Sequence, residues 1–325
     1  MIPPDPVHHL PADNFPASRP ARRIVRMPGS RIWAWVLLAA VMITGLAATY
    51  RIFVVSSQGQ LVDHAALSSA EVRLKSLHAA FVGLLADLPI VVAAIAAAGF
   101  LVLTLWRRRW AASLIVALTF AAANFTTQML KFLLDRPELA NGVPYYTGNS
   151  LPSGHVTFAT ATFAAVFLLV APRWRSVVGL VGMIFSATVG VATFLDGWHR
   201  PADIVAAYLI VGLWTLIGGF IIYRISADYN VISARSRAKH ASLSEILLWL
   251  LAIFGIGGAV AIVLLTGGQG ALPTHFEQVT PSLRWFSFGA MLIVGAASLV
   301  CALLTSFFRW EAGREAAADH RQVPR

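Results

Sequence analysis

Three short polar islands interrupt an otherwise apolar stretch between Lys131 and Asp203, and they hold the residue types that phosphoryl chemistry needs. They are Lys131-Phe-Leu-Leu-Asp-Arg136-Pro137, Pro152-Ser153-Gly154-His155 and His199-Arg200-Pro201-Ala202-Asp203. In the third, His199 and Asp203 are four apart. On a helix that spacing lets a carboxylate accept a hydrogen bond from one imidazole nitrogen and leaves the other as a nucleophile or base. Pro201 suits a first helical turn, where Asp203 is also favoured as a cap by the macrodipole. Capping alone accounts for Asp203 and leaves His199 unexplained. In the second island Ser153 is a strong N-cap, and Gly154 lets a ligand approach the backbone. The helix start that follows offers free N–H groups to an anion, and His155 beside it is placed to protonate a leaving oxygen. The first island supplies cations: Arg136 with a planar fork for two phosphate oxygens, and Lys131 with a point charge. The competing reading makes both of them anchors that snorkel at the end of a span. Asn124, Thr126, Thr127 and Gln128, one to two turns earlier, are expected to bond neighbouring helices.

The islands offer two His and Asp203, a thin set for a metal, and no cluster supplies three or four ligands at metal spacing. Metal-independent phosphoryl transfer without a cofactor is therefore the expectation.

The elements that must position these residues are membrane helices. The chain has 325 residues, is 58% hydrophobic and only 12% charged, with a mean hydropathy of +0.71. That balance departs from the usual globular one and marks a polytopic all-α membrane protein. A hydrocarbon core of ~30 Å takes roughly 20 apolar residues to cross as a helix. Eight runs meet this test: 32–54, 86–106, 110–134, 155–172, 176–195, 203–224, 244–266 and 285–308. The net charge of +10 is not one basic patch, so nucleic-acid binding is not expected. The basic residues sit in the short segments between runs, where they set orientation. With the N-terminus inside, 18 of the 25 Lys and Arg fall on the cytoplasmic side. Both termini are then cytoplasmic, and all three islands emerge on the extracytoplasmic face of the cytoplasmic membrane.

The resulting organisation is a disordered basic tail at 1–31, a six-span core at 32–225, a cytoplasmic linker at 226–243, two further spans within 244–308 and a cytoplasmic tail at 309–325. The tail lacks the apolar core of a cleavable signal, so the first span is expected to stay as an anchor. Within the core, residues 55–85 are too polar to span. Leu61, Ala65, Leu67, Val72, Leu74, Leu77 and Phe81 mixed with Asp63, Glu71, Arg73 and Lys75 suggest an amphipathic interfacial helix or two: either a connector lying on the bilayer or a rim where lipid enters. Cys301 is the single cysteine and reads as a packing residue, so no disulfide framework exists.

Arg-Pro, then Pro-Ser-Gly-His, then His-x-x-x-Asp, on spans three to six, resembles the type 2 phosphatidic acid phosphatase superfamily of integral membrane lipid phosphatases, over roughly residues 30–225. The resemblance implies that His199 attacks phosphorus and forms a phosphohistidine, that Asp203 orients it, and that His155 protonates the departing group. It also implies that Arg136, Ser153 and Gly154 hold the phosphoryl oxygens and that water then releases phosphate. Two positions depart from the family pattern. The first motif has Lys seven positions before Arg-Pro, which places Met129 at the Lys position or, counted from Lys131, Glu138 at the Arg position. The third motif has Arg six positions before the His, where this chain has Thr193. Arg200 is a candidate substitute, and Lys131 and Arg136 can both serve from a shifted spacing.

The expected function is a phosphatase acting on a membrane lipid phosphate or pyrophosphate, such as a polyprenyl pyrophosphate, phosphatidic acid or phosphatidylglycerol phosphate. The alternatives are a phosphotransferase to a lipid or sugar hydroxyl, and a non-catalytic binding or scaffold protein of the same fold.

Overall fold

A computed structural model describes residues 29–74, 94, 97–102, 104–105, 109–137, 139, 149–225, 229, 242–268, 270 and 272–319. Among these residues the chain is helical with no strand. The helices are α1 (Gly29–Phe53), α2 (Ser57–Leu74), α3 (Trp110–Leu133), α4 (Gly154–Leu169), α5 (Arg175–Leu195), α6 (Pro201–Ile225), α7 (Leu243–Gly268) and α8 (Leu283–Asp319). Six described segments are long and apolar enough to cross a membrane, and the shorter apolar α4 packs among them. The protein is a multi-pass, all-α membrane protein. The second predicted span, 86–106, lies largely outside the described residues, as do the N-terminal tail and most of the 226–243 linker.

Between apolar helices in lipid, association rests on close packing and shared polar contacts rather than on escape from water. Both are visible. Gly255 of α7 faces Gly295 of α8 so closely that a Cβ on Gly255 would sit 2.5 Å from the Gly295 Cα. Trp214 of α6 donates to Thr126 of α3 at 3.0 Å, and the Thr127 and Thr157 hydroxyls of α3 and α4 meet at 2.9 Å. The expected interhelical role of this polar turn therefore holds for both threonines. Asn124 instead donates to the Phe120 carbonyl of its own helix. Helix α6 runs through the middle, packed on α1, α3, α4 and α8, with Ile204, Tyr208, Ile210, Leu216 and Ile222 fully buried. The last helix, α8, packs on α2, α5 and α6 as well as on α7.

Of the stretch expected as an amphipathic connector, 55–85, residues 75–85 lie outside the described residues and the described part behaves differently. Residues 57–74 are indeed helical, but α2 does not present one polar face to water. Gln60, Leu61, Val62, Asp63, His64, Ala65, Ala66, Leu67, Ser69 and Ala70 are all buried, against α1, α5, α6 and α8. Of the polar side chains that made the stretch look half-solvated, Asp63 is turned into the bundle beside the buried Gln60 and His64, whereas Glu71 is exposed. This insertion brings α2 to the first and third islands.

Candidate active site

The second and third islands open helices whose first turns are tied together. Ser153 caps α4, its hydroxyl accepting from the Val156 N–H at 3.4 Å, and its own N–H donates to the Asp203 carbonyl at 2.9 Å. At the start of α6, Arg200 precedes Pro201, and Asp203 reaches back so that its Oδ2 accepts the Arg200 N–H at 3.1 Å. This is half of a capping box. The same Oδ2 lies 3.5 Å from His199 Nδ1. Capping and facing the histidine, the two readings of Asp203, are thus both realised by one oxygen. The His199 contact is long for a hydrogen bond.

The loop before His199 is set by the end of α5. Gly197, at φ +71°, takes the left-handed position. Trp198 N–H then donates to the Thr193 carbonyl at 3.1 Å and Gly197 N–H to the Phe194 carbonyl at 3.2 Å, the two bonds of a Schellman turn. The His199 N–H also reaches the Thr193 carbonyl, at 3.2 Å. Position 193, where the family pattern has an Arg side chain, holds the loop through its backbone, and its hydroxyl is spent on Gly190.

His155, on the first turn of α4, is exposed. Its ring centroid lies 6.3 Å from that of His199 and 5.4 Å from that of Trp198. His199 is itself buried. Two imidazoles at that separation can flank one tetrahedral phosphorus, one on each side.

The cations converge on the same place. Arg136 Nη1 lies 4.0 Å from Asp203 Oδ1 and 3.2 Å from the Ser150 hydroxyl. Arg200 Nη1 reaches that hydroxyl at 3.5 Å. Lys131 Nζ lies 4.0 Å from where a Cβ on Gly154 would stand, and Gln128 Nε2 lies 3.5 Å from it. Both cations of the first island therefore reach the site despite the altered spacing. Among the described residues, no group of three or more His, Cys, Asp or Glu is arranged to hold a metal ion.

Sequence reading foresees a helix here but misses that α2 delivers Asp63 to the site. Asp63, fully buried, accepts the Ala202 N–H at 3.1 Å through Oδ1 and pairs with Arg136 Nη2 at 3.5 Å through Oδ2. Burial pushes its carboxyl up to about 7 against the pull of Arg136, with the Asp203 carboxylate adding to the rise. Burial, reinforced by Arg200 and Arg136, holds the neighbouring His64 down to about 4. Nothing in the local spacing announces Asp63. Its signal is only that a lone carboxylate sits among residues that pack. Trp198 was overlooked as well, although it adjoins His199.

Residues 112–230 match the model of the PAP2 superfamily. The match takes in α3 to α6 and all three islands, and it leaves α1 and α2 outside. No curated protein and no solved structure matches the chain.

Proposed function

As residues 112–230 carry a PAP2-superfamily domain, we propose that this protein is a phosphatase of lipid phosphates or pyrophosphates that works through a phosphohistidine. Superfamily membership points to phosphatase-type chemistry on lipid-like phosphates. The single observation that carries the finer reading is the pair of imidazoles 6.3 Å apart, one backed by Asp203 and the other on a helix start. His199, its Nδ1 facing Asp203, attacks phosphorus through Nε2. His155, on the opposite side, gives a proton to the departing oxygen. Arg136 and Lys131 carry the phosphoryl charge, with the α4 start and its Gly154 admitting an oxygen close to the backbone. Arg200 supplies a further cation from beside the nucleophile. His155, deprotonated after the first step, then activates the water that releases phosphate.

The contacts that must act in the transition state are long in the free protein, as is usual before substrate tightens them. No step calls on a metal ion. The excess of Lys and Arg at the opposite end of the spans supports an extracytoplasmic site, and the apolar Phe132, Leu133 and Trp198, all exposed near the islands, suit a substrate that stays partly in lipid. The test is phosphate release from lipid phosphates and pyrophosphates by purified protein, with chelator and with or without a lipid alcohol as acceptor. Release by the wild type and its loss in His199→Ala are expected. Equal release by the two proteins would sink the reading. A phosphorylated acceptor in place of free phosphate would make the enzyme a transferase.

A further inference from the structure

We infer that Asp63, on a helix outside the family-matched stretch, is a positioning residue of this site: it holds the Arg136 guanidinium and the first turn of α6 in the arrangement that surrounds the phosphoryl group. The inference rests on the phosphatase reading, and it adds a residue that none of the three islands contains.

Three observations carry it. First, one buried carboxylate joins two parts of the machinery that are 66 residues apart in sequence: Oδ2 meets Arg136 at 3.5 Å and Oδ1 takes the Ala202 N–H at 3.1 Å. That amide belongs to the turn that carries Asp203 and follows His199. Second, the hairpin of α1 and α2 also grips the backbone on both sides of Arg136. The Tyr50 hydroxyl donates to the Asp135 carbonyl at 2.8 Å, and Gln60 Nε2 donates to the Pro137 carbonyl at 3.1 Å. Gln60 is itself fixed by the Val54 carbonyl at 2.6 Å. Third, the segment after α3 is irregular at 134–137, so a side chain there owes its direction to such ties rather than to a helix. An arginine aimed by a buried partner needs less reorganisation as charge shifts during phosphoryl transfer.

The role has a distinctive signature. Asp63 brings a carboxyl group, charged above about pH 7, to an anion site, so it does not add affinity for phosphate in the ground state. Its contribution is to keep Arg136 where charge moves during transfer. Removal should therefore lower kcat more than it raises KM, and should act only while Arg136 is present.

The experiment is a double-mutant cycle with Asp63→Asn and Arg136→Ala on the full-length protein in detergent micelles. Asp63→Asn keeps an acceptor for the Ala202 N–H, so it serves where Asp63→Ala fails to fold; Asp63→Glu tests rescue. In the wild-type background kcat should fall roughly 10- to 100-fold, the scale of one charge-assisted contact, with KM changed less than about threefold. In Arg136→Ala the same substitution should change kcat less than about threefold. An equal loss in both backgrounds, or no loss in the first, overturns the inference. A second cycle reads binding of orthovanadate, a mimic of the five-coordinate transition state, by thermal shift and needs no turnover: coupling between the two substitutions supports the inference, and strict additivity overturns it. Failure of the phosphatase reading shows separately, as wild-type release no greater than that of His199→Ala.

Discussion

Both ends of this bundle bury charge, and they do so in opposite ways. At the end that holds the islands, the contacts are slack: 3.5 Å from Arg136 to Asp63, 4.0 Å from Arg136 to Asp203, and 3.5 Å from His199 to Asp203. At the other end they are closed. Arg309 pairs with Glu245 at 2.7 Å, Ser306 donates to the same carboxylate at 2.6 Å, and Arg31 donates to the Tyr223 hydroxyl at 3.0 Å. Arg175 is buried with its guanidinium 4.8 Å from the Tyr229 ring centroid, 5.1 Å from that of Phe308 and 5.9 Å from that of Phe167. A buried carboxylate answered by short bonds is complete in itself, whereas cations and carboxylates held 3.5 to 4.0 Å apart leave room for a further anion. One end clamps the helices together, and the other is the proposed phosphate site.

That contrast can be broken by substitution at either end. The largest effect short of losing the proposed nucleophile should come from His155→Ala, which removes the proposed acid and should lower kcat about 10²- to 10⁴-fold. An aryl phosphate, whose leaving group needs no proton, should recover much of that loss, and steady-state rates on the two substrate types check it. Arg136→Ala should follow, lowering kcat/KM roughly 10- to 100-fold through one lost charge-assisted phosphate contact. At the closed end, Arg175→Ala should leave kcat/KM of the folded protein unchanged and cost about 2 kcal/mol of stability from the lost ring contacts, read as a lower apparent melting temperature in detergent. A fall in kcat/KM there without loss of stability would erase the distinction between the ends.

The smallest expected effect sharpens the contrast by pH. Asp63 binds its proton more tightly in the folded protein, at about 7 against 3.8. Its contribution to stability is thus present below about pH 4 and lost as pH rises through 7. His64, held down to about 4 from 6.5, acts in the reverse sense: its contribution is present above about pH 6.5 and lost as pH falls towards 4. Around them stand Arg136, Arg200 and Asp203. Asp63→Asn removes the falling limb and leaves the rising one, so the melting temperature should climb more between pH 5 and 7 in the variant than in the wild type.

What sequence made legible follows the same division of labour. The apolar runs gave the membrane helices because a span is a local property of about 20 residues. The islands were legible because each is contiguous and each opens or closes a helix. Ser153 and Pro201 marked helix starts through capping and fixed φ, and the four-residue spacing of His199 and Asp203 survived folding as a contact. Asp63 was not legible because its two partners, Arg136 and the Ala202 amide, are 73 and 139 residues away. Its neighbours Leu61, Ala65 and Leu67 gave the pattern of a helix with one wet face, and that pattern cannot tell water from a buried arginine. The spacing rule for the first motif misled in a related way. Lys131 ends a helix and Arg136 sits in the irregular segment beyond it, where folding rather than residue count decides what each side chain reaches.

The proposed phosphatase chemistry requires His199 to act as a covalent nucleophile. The most direct measurement is to mix the purified protein with a substrate carrying labelled phosphorus, with chelator present, quench it rapidly, and look for label on the protein. The wild type should hold an acid-labile, alkali-stable phosphoryl group, and His199→Ala should hold none. Label of the same lability on the variant, or phosphate release by the wild type that stops when chelator is added, would contradict it.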